Sequence, residues 1–199
     1  MIIFQMYSLK KSYGDYTISY ISSITYYNYL GDKADCYKKG IEYLPGKTDR
    51  SKKFGLLSSH EMKESAEQDL KHQLENNTLN LFKAYLFCMY SNTHKGNYIV
   101  SECKNEKGTS YFDFFRFLFK AISKIQNILF TIISVILSFY FLFNFKKTDK
   151  FYLINAVFIL YVFFISAVSC YQCDRFHIAF FPITIIFISD LINKRKRIK

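Results

Sequence analysis

Residues 125–143 read IQNILFTIISVILSFYFLF, without one charged side chain. A helix rises about 1.5 Å per residue and a bilayer core is about 30 Å thick, so roughly 20 apolar residues that bond their own backbone can cross it. Residues 151–170 (FYLINAVFILYVFFISAVSC) repeat the pattern, again uncharged. Residues 176–192 (FHIAFFPITIIFISDLI) form a third stretch, which holds His177, Pro182 and Asp190. Asp190 lies close to the basic tail and is expected at headgroup level beside Lys194, which spares it the bilayer centre. Apolar residues occupy all faces of these stretches with no polar stripe, so they do not read as amphipathic helices lying on a surface. The competing reading, a hairpin buried in a large soluble core, needs more polar helix to wrap it than 199 residues supply.

Working outward, the charges of the C-terminal part fall in short clusters: Lys146, Lys147, Asp149 and Lys150, then Asp174 and Arg175, then Lys194 to Lys199. That spacing is the one expected of spans separated by turns. The mean hydropathy of +0.01 averages over this division and conceals it. Composition excludes other classes. With 50% hydrophobic residues, 22 Phe, 17 Tyr and only 2 Pro, the chain has far too much apolar mass for disorder or a collagen-like repeat. The net charge of +11 would suit nucleic acid, but its concentration beside the spans suits anionic headgroups better. Membrane lipids are therefore the expected partners, and nucleic acid is not.

The excess of Lys and Arg in short loops sets the orientation. It places the tail after Ile192 and the loop 144–150 in the cytoplasm, and the loop 171–175 with everything before residue 125 outside. The N-terminal MIIFQMYSLKK lacks the long apolar run and small-residue site of a signal peptide. An exported region without its own signal suggests the C-terminal portion of a longer multi-span protein; the alternative keeps the N-terminal region in the cytosol, with 125–143 and 151–170 as a hairpin and the third stretch lying on the cytoplasmic face.

Ahead of the spans, residues 1–57 are rich in Tyr. The segment DYTISYISSITYYNYL between Gly14 and Gly31 alternates imperfectly like a strand, and a Tyr-rich helix or loop remains open. Residues 44–53 (LPGKTDRSKK) read as an exposed turn. Ser58 and Glu61 form a capping box, after which Met62, Ala66, Leu70 and Leu74 share one helical face opposite Lys63, Glu67 and Lys71. Asn76-Asn77-Thr78 interrupts that helix. A second follows with Leu79, Phe82, Leu86 and Met89 inward. Residues 92–108 read as polar loop, and residues 109–124 (TSYFDFFRFLFKAISK) as an interfacial helix feeding the first span.

Signatures of chemistry are few. The HEMKE run at His60 lacks the second His of a zinc-protease helix, and no phosphate loop, GxSxG or dinucleotide fingerprint is present. The carboxylates of the Ser58 helix read as a solvated face. Cys36, Cys88 and Cys103 read as singles; Cys170-x-x-Cys173 with His177 lacks the second pair a zinc site wants. That pair reads as small apolar side chains closing a helix end, with a disulfide at the outer face as the alternative. No metal and no cofactor is expected, and no catalytic residue is assigned.

The segment Asp174-Arg175-Phe176-His177-Ile178-Ala179-Phe180-Phe181-Pro182 resembles the R-[YF]-x-[LIF]-x-x-x-P element that begins a late transmembrane helix in bacterial multi-span glycosyltransferases. Those enzymes are similar to the dolichyl-phosphate-mannose protein mannosyltransferase family. Residues 65–90 (SAEQDLKHQLENNTLNLFKAYLFCMY) resemble a stretch before a late span in the same enzymes, with Asn77-Thr78 in place of their Asn-Pro. The resemblance implies a many-span fold that moves a sugar from a polyprenyl phosphate to an acceptor on the outer face. It implies catalytic acids upstream of anything in this chain. Arg175 is the one residue to which it lends a role, contact with the lipid phosphate; the plainer reading is an interfacial anchor paired with Asp174.

The fold class expected is thus an all-α membrane protein. It comprises a Tyr-rich extramembrane segment (1–57), a helical extramembrane and juxtamembrane region (58–124), about three transmembrane helices (125–143, 151–170, 176–192) and a basic cytoplasmic tail (193–199). The function expected is that of the C-terminal part of a glycosyltransferase in a bacterial inner membrane, its donor a polyprenyl-phosphate sugar. A small non-enzymatic membrane-anchored interaction or surface protein is the alternative.

Overall fold

The structure, a computed structural model, describes residues 2–14 and 21–197. All regular structure among them is helical. The chain divides into two compact units: residues 1–88 with 168–170, and residues 89–167 with 171–199.

In the first unit, α1 (Ile2–Tyr13) is followed by α2 (Ile21–Thr25), a π-helical turn (Tyr26–Gly31) and α3 (Asp32–Lys39). The described part of the Tyr-rich segment is therefore helix, and the strand reading fails there. Residues 15–20 of that segment lie outside the described residues. The π turn and α3 bring Tyr26, Leu30 and Ala34 into one core with Ala66, Leu81 and Ala84, so small residues let the helices approach closely. Gly40, in the left-handed region with φ of 65°, stops α3.

Residues 44–53 are not a free loop. Thr48 caps α4 (Asp49–Phe54) by accepting from Ser51 N, and Phe54 is buried with its ring stacked 4.1 Å from Tyr27. The next helix, α5 (Ser59–Asn76), begins with the capping box the sequence announces: Ser58 N donates to Glu61 Oε2 at 2.8 Å and Glu61 N to Ser58 Oγ at 3.4 Å. Its inward line differs from expectation. Ala66 and Gln73 are buried, whereas Leu70 and Leu74 face outward. Helix α6 (Thr78–His94) likewise buries Leu81, Ala84 and Cys88 and exposes Leu79, Phe82 and Leu86. The face is turned because Asn77, buried at the junction, donates to Ala34 O, and Gln73 donates to Asp35; these bonds fix each helix by its polar residues. Cys88 and Cys170 are joined by a disulfide across a sequence separation of 82, and Cys173 is free. Neither reading of the Cys170-x-x-Cys173 pair anticipated that partner.

In the second unit, the expected loop 92–108 contains the end of α6 and a short helix, α7 (Tyr98–Glu102), capped by Asn97. The expected interfacial helix and first span are one continuous helix, α8 (Ser110–Phe143), of 34 residues. A turn with Asp149 as N-cap leads to α9 (Lys150–Ser166), which packs on α8. Two 3-10 turns (Cys173–Arg175 and His177–Phe180) then enter α10 (Phe181–Arg197). Phe141, Ile159, Phe180, Phe181 and Phe187 form the core.

Two segments, Ser110–Phe143 and Cys173–Asn193, are long and apolar enough to cross a membrane. The middle stretch makes a helix of only 17 residues, closed at Ser166. The polar stripe missed in sequence is present. Asn127, Thr131, Ser134 and Ser138 follow one line of α8 and are buried, while Ile125, Leu129, Ile132, Ile136 and Phe143 face out. The intervals of four and three residues hide it in a linear reading. Asp190 is half-buried on α10, and the side chain of Lys194, its expected partner, lies outside those described.

Candidate functional site

The first unit contains an ion-pair cluster assembled from α3, α4 and α5. Arg50 lies beneath the surface, donating from Nη1 to Asp35 Oδ2 at 2.6 Å and to Asp69 Oδ1 at 2.7 Å, and from Nη2 to Asp69 Oδ2 at 2.5 Å. Its guanidinium is also 3.9 Å from the Tyr27 ring centroid. Burial opposes the charged form, yet the hydrogen bonds and charges of Asp69 and Asp35 outweigh it and hold the guanidinium firmly protonated. Burial, with Asp69 beside it, pushes the Tyr26 phenol up, so its hydroxyl stays a donor to Asp69 at 2.8 Å. Gly31 is what admits the pair: a Cβ there would come within 2.5 Å of Arg50 Nη2 and 3.0 Å of Asp69 Oδ2. Asp69 and Arg50, both assigned to wet surfaces by sequence, are thus the centre of this unit.

Beside them Asp32 accepts from Thr48 at 2.5 Å and from Ser51 at 3.1 Å. Burial raises its carboxyl above the usual range, with Asp35 adding to the rise and the two hydroxyls and Arg50 opposing it. A group whose folded pKa is raised contributes stability below its unfolded value, about 3.9, and loses that contribution as pH rises through the folded value. Asp32→Asn keeps an acceptor and removes the titration. Urea unfolding should therefore show the variant losing less stability than the parent as pH rises from about 4; an unchanged slope contradicts this.

In the second unit the buried stripe meets a second set of polar groups. Asn127 donates to Asn92 O at 2.7 Å and to Lys95 O at 2.6 Å. With both amide hydrogens committed to carbonyls, its Oδ1 accepts from Thr131 at 3.2 Å and faces His177 Nδ1 at 3.1 Å. His177 is fully buried, with Nε2 at 3.3 Å from Ser166 Oγ. The hydroxyls of Ser134 and Thr184 lie 2.5 Å apart. Every one of these side chains is short, and the network ties α8, α9 and the start of α10 together.

Asp174 and Arg175 point to different partners. Asp174 is buried and accepts from Asn97 Nδ2 at 3.1 Å and Tyr98 N at 3.3 Å. Arg175 is exposed, donates to Gln172 Oε1 at 2.9 Å and lies 5.2 Å from the Tyr98 ring centroid. The expected anchor pair between the two is thus replaced: the Asn97 side chain and the first backbone N–H of α7 take the carboxylate, and the guanidinium stays exposed. Among the described residues no group of His, Cys, Asp and Glu is arranged to hold a metal ion. Neither cluster sets a nucleophile against a base in an open cleft; both are built to hold helices in register. No family model, curated protein or solved structure matches this chain.

Proposed function

We propose that the chain is an integral membrane protein, anchored by its second unit, and that it forms the C-terminal part of a glycosyltransferase that uses polyprenyl-phosphate sugar. The observation that carries the membrane reading is the inverted helix α8. In water a helix buries its apolar face; here Asn127, Thr131, Ser134 and Ser138 are inward together with Phe141, while Ile125, Leu129, Ile132, Ile136 and Phe143 face outward. Hydrocarbon as solvent makes that arrangement favourable, since small polar residues gain bonds and close contact between helices while apolar ones lose nothing by facing lipid. In this reading 125–143, 151–170 and 176–192 all cross; α9 is short for a span, and Ala167 to Cys170 complete the crossing.

The Cys88–Cys170 disulfide supports the orientation with the tail in the cytoplasm, because disulfides persist on the oxidising side. It agrees with the Lys and Arg bias, an independent signal. The glycosyltransferase reading rests on the resemblance at 174–182 and on an exposed Arg175 at the mouth of the last span.

Carbonate extraction of membranes expressing the chain tests the anchoring: it should stay in the pellet, and release of intact chain into the supernatant refutes it. For the enzymatic part, Arg175→Lys in the complete protein should lower sugar transfer by about tenfold or more at equal membrane abundance. An ammonium cannot make the planar two-pronged contact with phosphate. Transfer at the parent rate would leave Arg175 an anchor.

A further inference from the structure

Outside the buried network, the second unit has a cleft of about 590 Å³ lined by Lys95, Tyr98, Glu102, Lys120, Lys124 and Tyr171. It is formed where the turn after α6 is pressed onto α8. Gly96 permits that approach, since a Cβ there would fall 2.9 Å from Lys120 O and 3.0 Å from Lys124 N. Asn97 N donates to Ser123 Oγ at 2.9 Å, and Asn127 holds the Lys95 carbonyl. Three lysines from two segments are thereby fixed around one opening. None makes an ion pair with a carboxylate among the described residues, and Glu102 is the single acid in the lining.

Like charges are not gathered this way without cost. Lys95 Nζ sits 3.7 Å from the Tyr171 ring centroid, and burial pushes its ammonium below the ordinary lysine value. An anion in the cleft would offset that cost at Lys95 and give Lys120 and Lys124 a counter-charge. The level of the cleft narrows the choice of anion. Lys124 is the last charge before the uncharged run of α8, and Cys173, beside the cleft, opens the second apolar segment. If those segments cross the membrane, as proposed above, the cleft lies at headgroup depth, flanked by Tyr98 and Tyr171 as interfacial aromatics are.

We propose that this cleft binds the phosphate of an anionic phospholipid, such as phosphatidylglycerol, between Lys95, Lys120 and Lys124. Basic pockets among membrane helices favour such headgroups, and each cation near the surface contributes enough for roughly a fivefold change in affinity. The lipid would act as a structural partner that neutralises the cleft and holds the turn 94–98 against α8.

The test uses the full chain purified in neutral detergent, with bound lipid counted by native mass spectrometry as phosphatidylglycerol or phosphatidylcholine is titrated. Phosphatidylglycerol should bind at least about tenfold more tightly than phosphatidylcholine. The variant Lys95→Gln/Lys120→Gln/Lys124→Gln should lose most of that preference. Lys146→Gln/Lys147→Gln/Lys150→Gln, which removes equal charge at the other end of α8, should keep it. Equal loss in both triple variants, or none in the first, overturns the proposal. Displacement of the lipid by millimolar inorganic phosphate would make free phosphate the ligand and overturn the lipid assignment. Helicity by circular dichroism accompanies each variant, and Lys95→Gln alone serves if the triple variant unfolds. Carbonate extraction separates the two ideas: a chain that stays in membranes but shows no headgroup preference removes only this one.

Discussion

Arg50→Ala should destabilise the first unit by about 2–3 kcal/mol, below the about 3–5 kcal/mol of a fully buried pair, because the two carboxylates left without their cation are only partly buried. The substitution strips Asp35 and Asp69 of their partner at once, and Gly31 and Tyr27 have no group to replace it. Removing a carboxylate instead leaves Arg50 its other partner, so Asp35→Asn should cost clearly less than Arg50→Ala. A triple substitution, Arg50→Met with Asp35→Leu and Asp69→Leu, should recover part of the loss, because apolar side chains of similar volume need no partner. Urea unfolding of the full chain in detergent, followed by far-ultraviolet circular dichroism and limited proteolysis, measures all three. If Arg50→Ala shifts the transition by less than about 1 kcal/mol, the cluster behaves like an exposed salt bridge and is not the centre of the unit.

The second large effect concerns Cys88→Ser. A closed loop spanning 82 residues implies about 4.5 kcal/mol in the chain-entropy account. That figure assumes a free chain between the two sulfurs. Here α8 and α9 form a helix pair within the loop, and in a bilayer that pair persists when the first unit unfolds, so its ends stay near one another. An effect nearer to about 2–3 kcal/mol follows. Cys170→Ser should match it, and dithiothreitol should bring the parent down to the level of both variants. Cys173→Ser, by contrast, should change little, since its thiol is free. A parent insensitive to reductant, with both thiols open to maleimide under native conditions, would mean that the bond is not formed.

Local signals were legible in the sequence to the extent that they were local. Ser58 and Glu61 lie three residues apart and start α5 as expected, Asn77 ends it, and the cluster at 144–150 is the turn between α8 and α9. Hydropathy alone found the apolar stretches 125–143 and 176–192 inside the two segments that could cross a membrane, because that property is a sum over neighbours, but not that the first helix begins at Ser110. It did not tell which face of each helix is buried. Leu70 and Leu79 were assigned inward on apolarity, and they face outward because Gln73 and Asn77 bond to α3 and set the rotation.

The tertiary structure decided what depends on partners far apart in the chain. Arg50 meets Asp35 and Asp69, Cys88 meets Cys170, and Asn127 meets His177, at separations no periodicity records. The same holds for the stripe of α8. No polar stripe was read in this run from the sequence, and only the packing of α9 and α10 shows Asn127, Thr131, Ser134 and Ser138 turned inward together. Helix formation is a property of consecutive residues, and rotation of a helix about its axis is a property of what it packs against. The sequence determined the helices and their apolar lengths; the tertiary contacts determined which faces meet, because a side chain's burial and bonding are fixed by neighbours that the chain brings back from elsewhere.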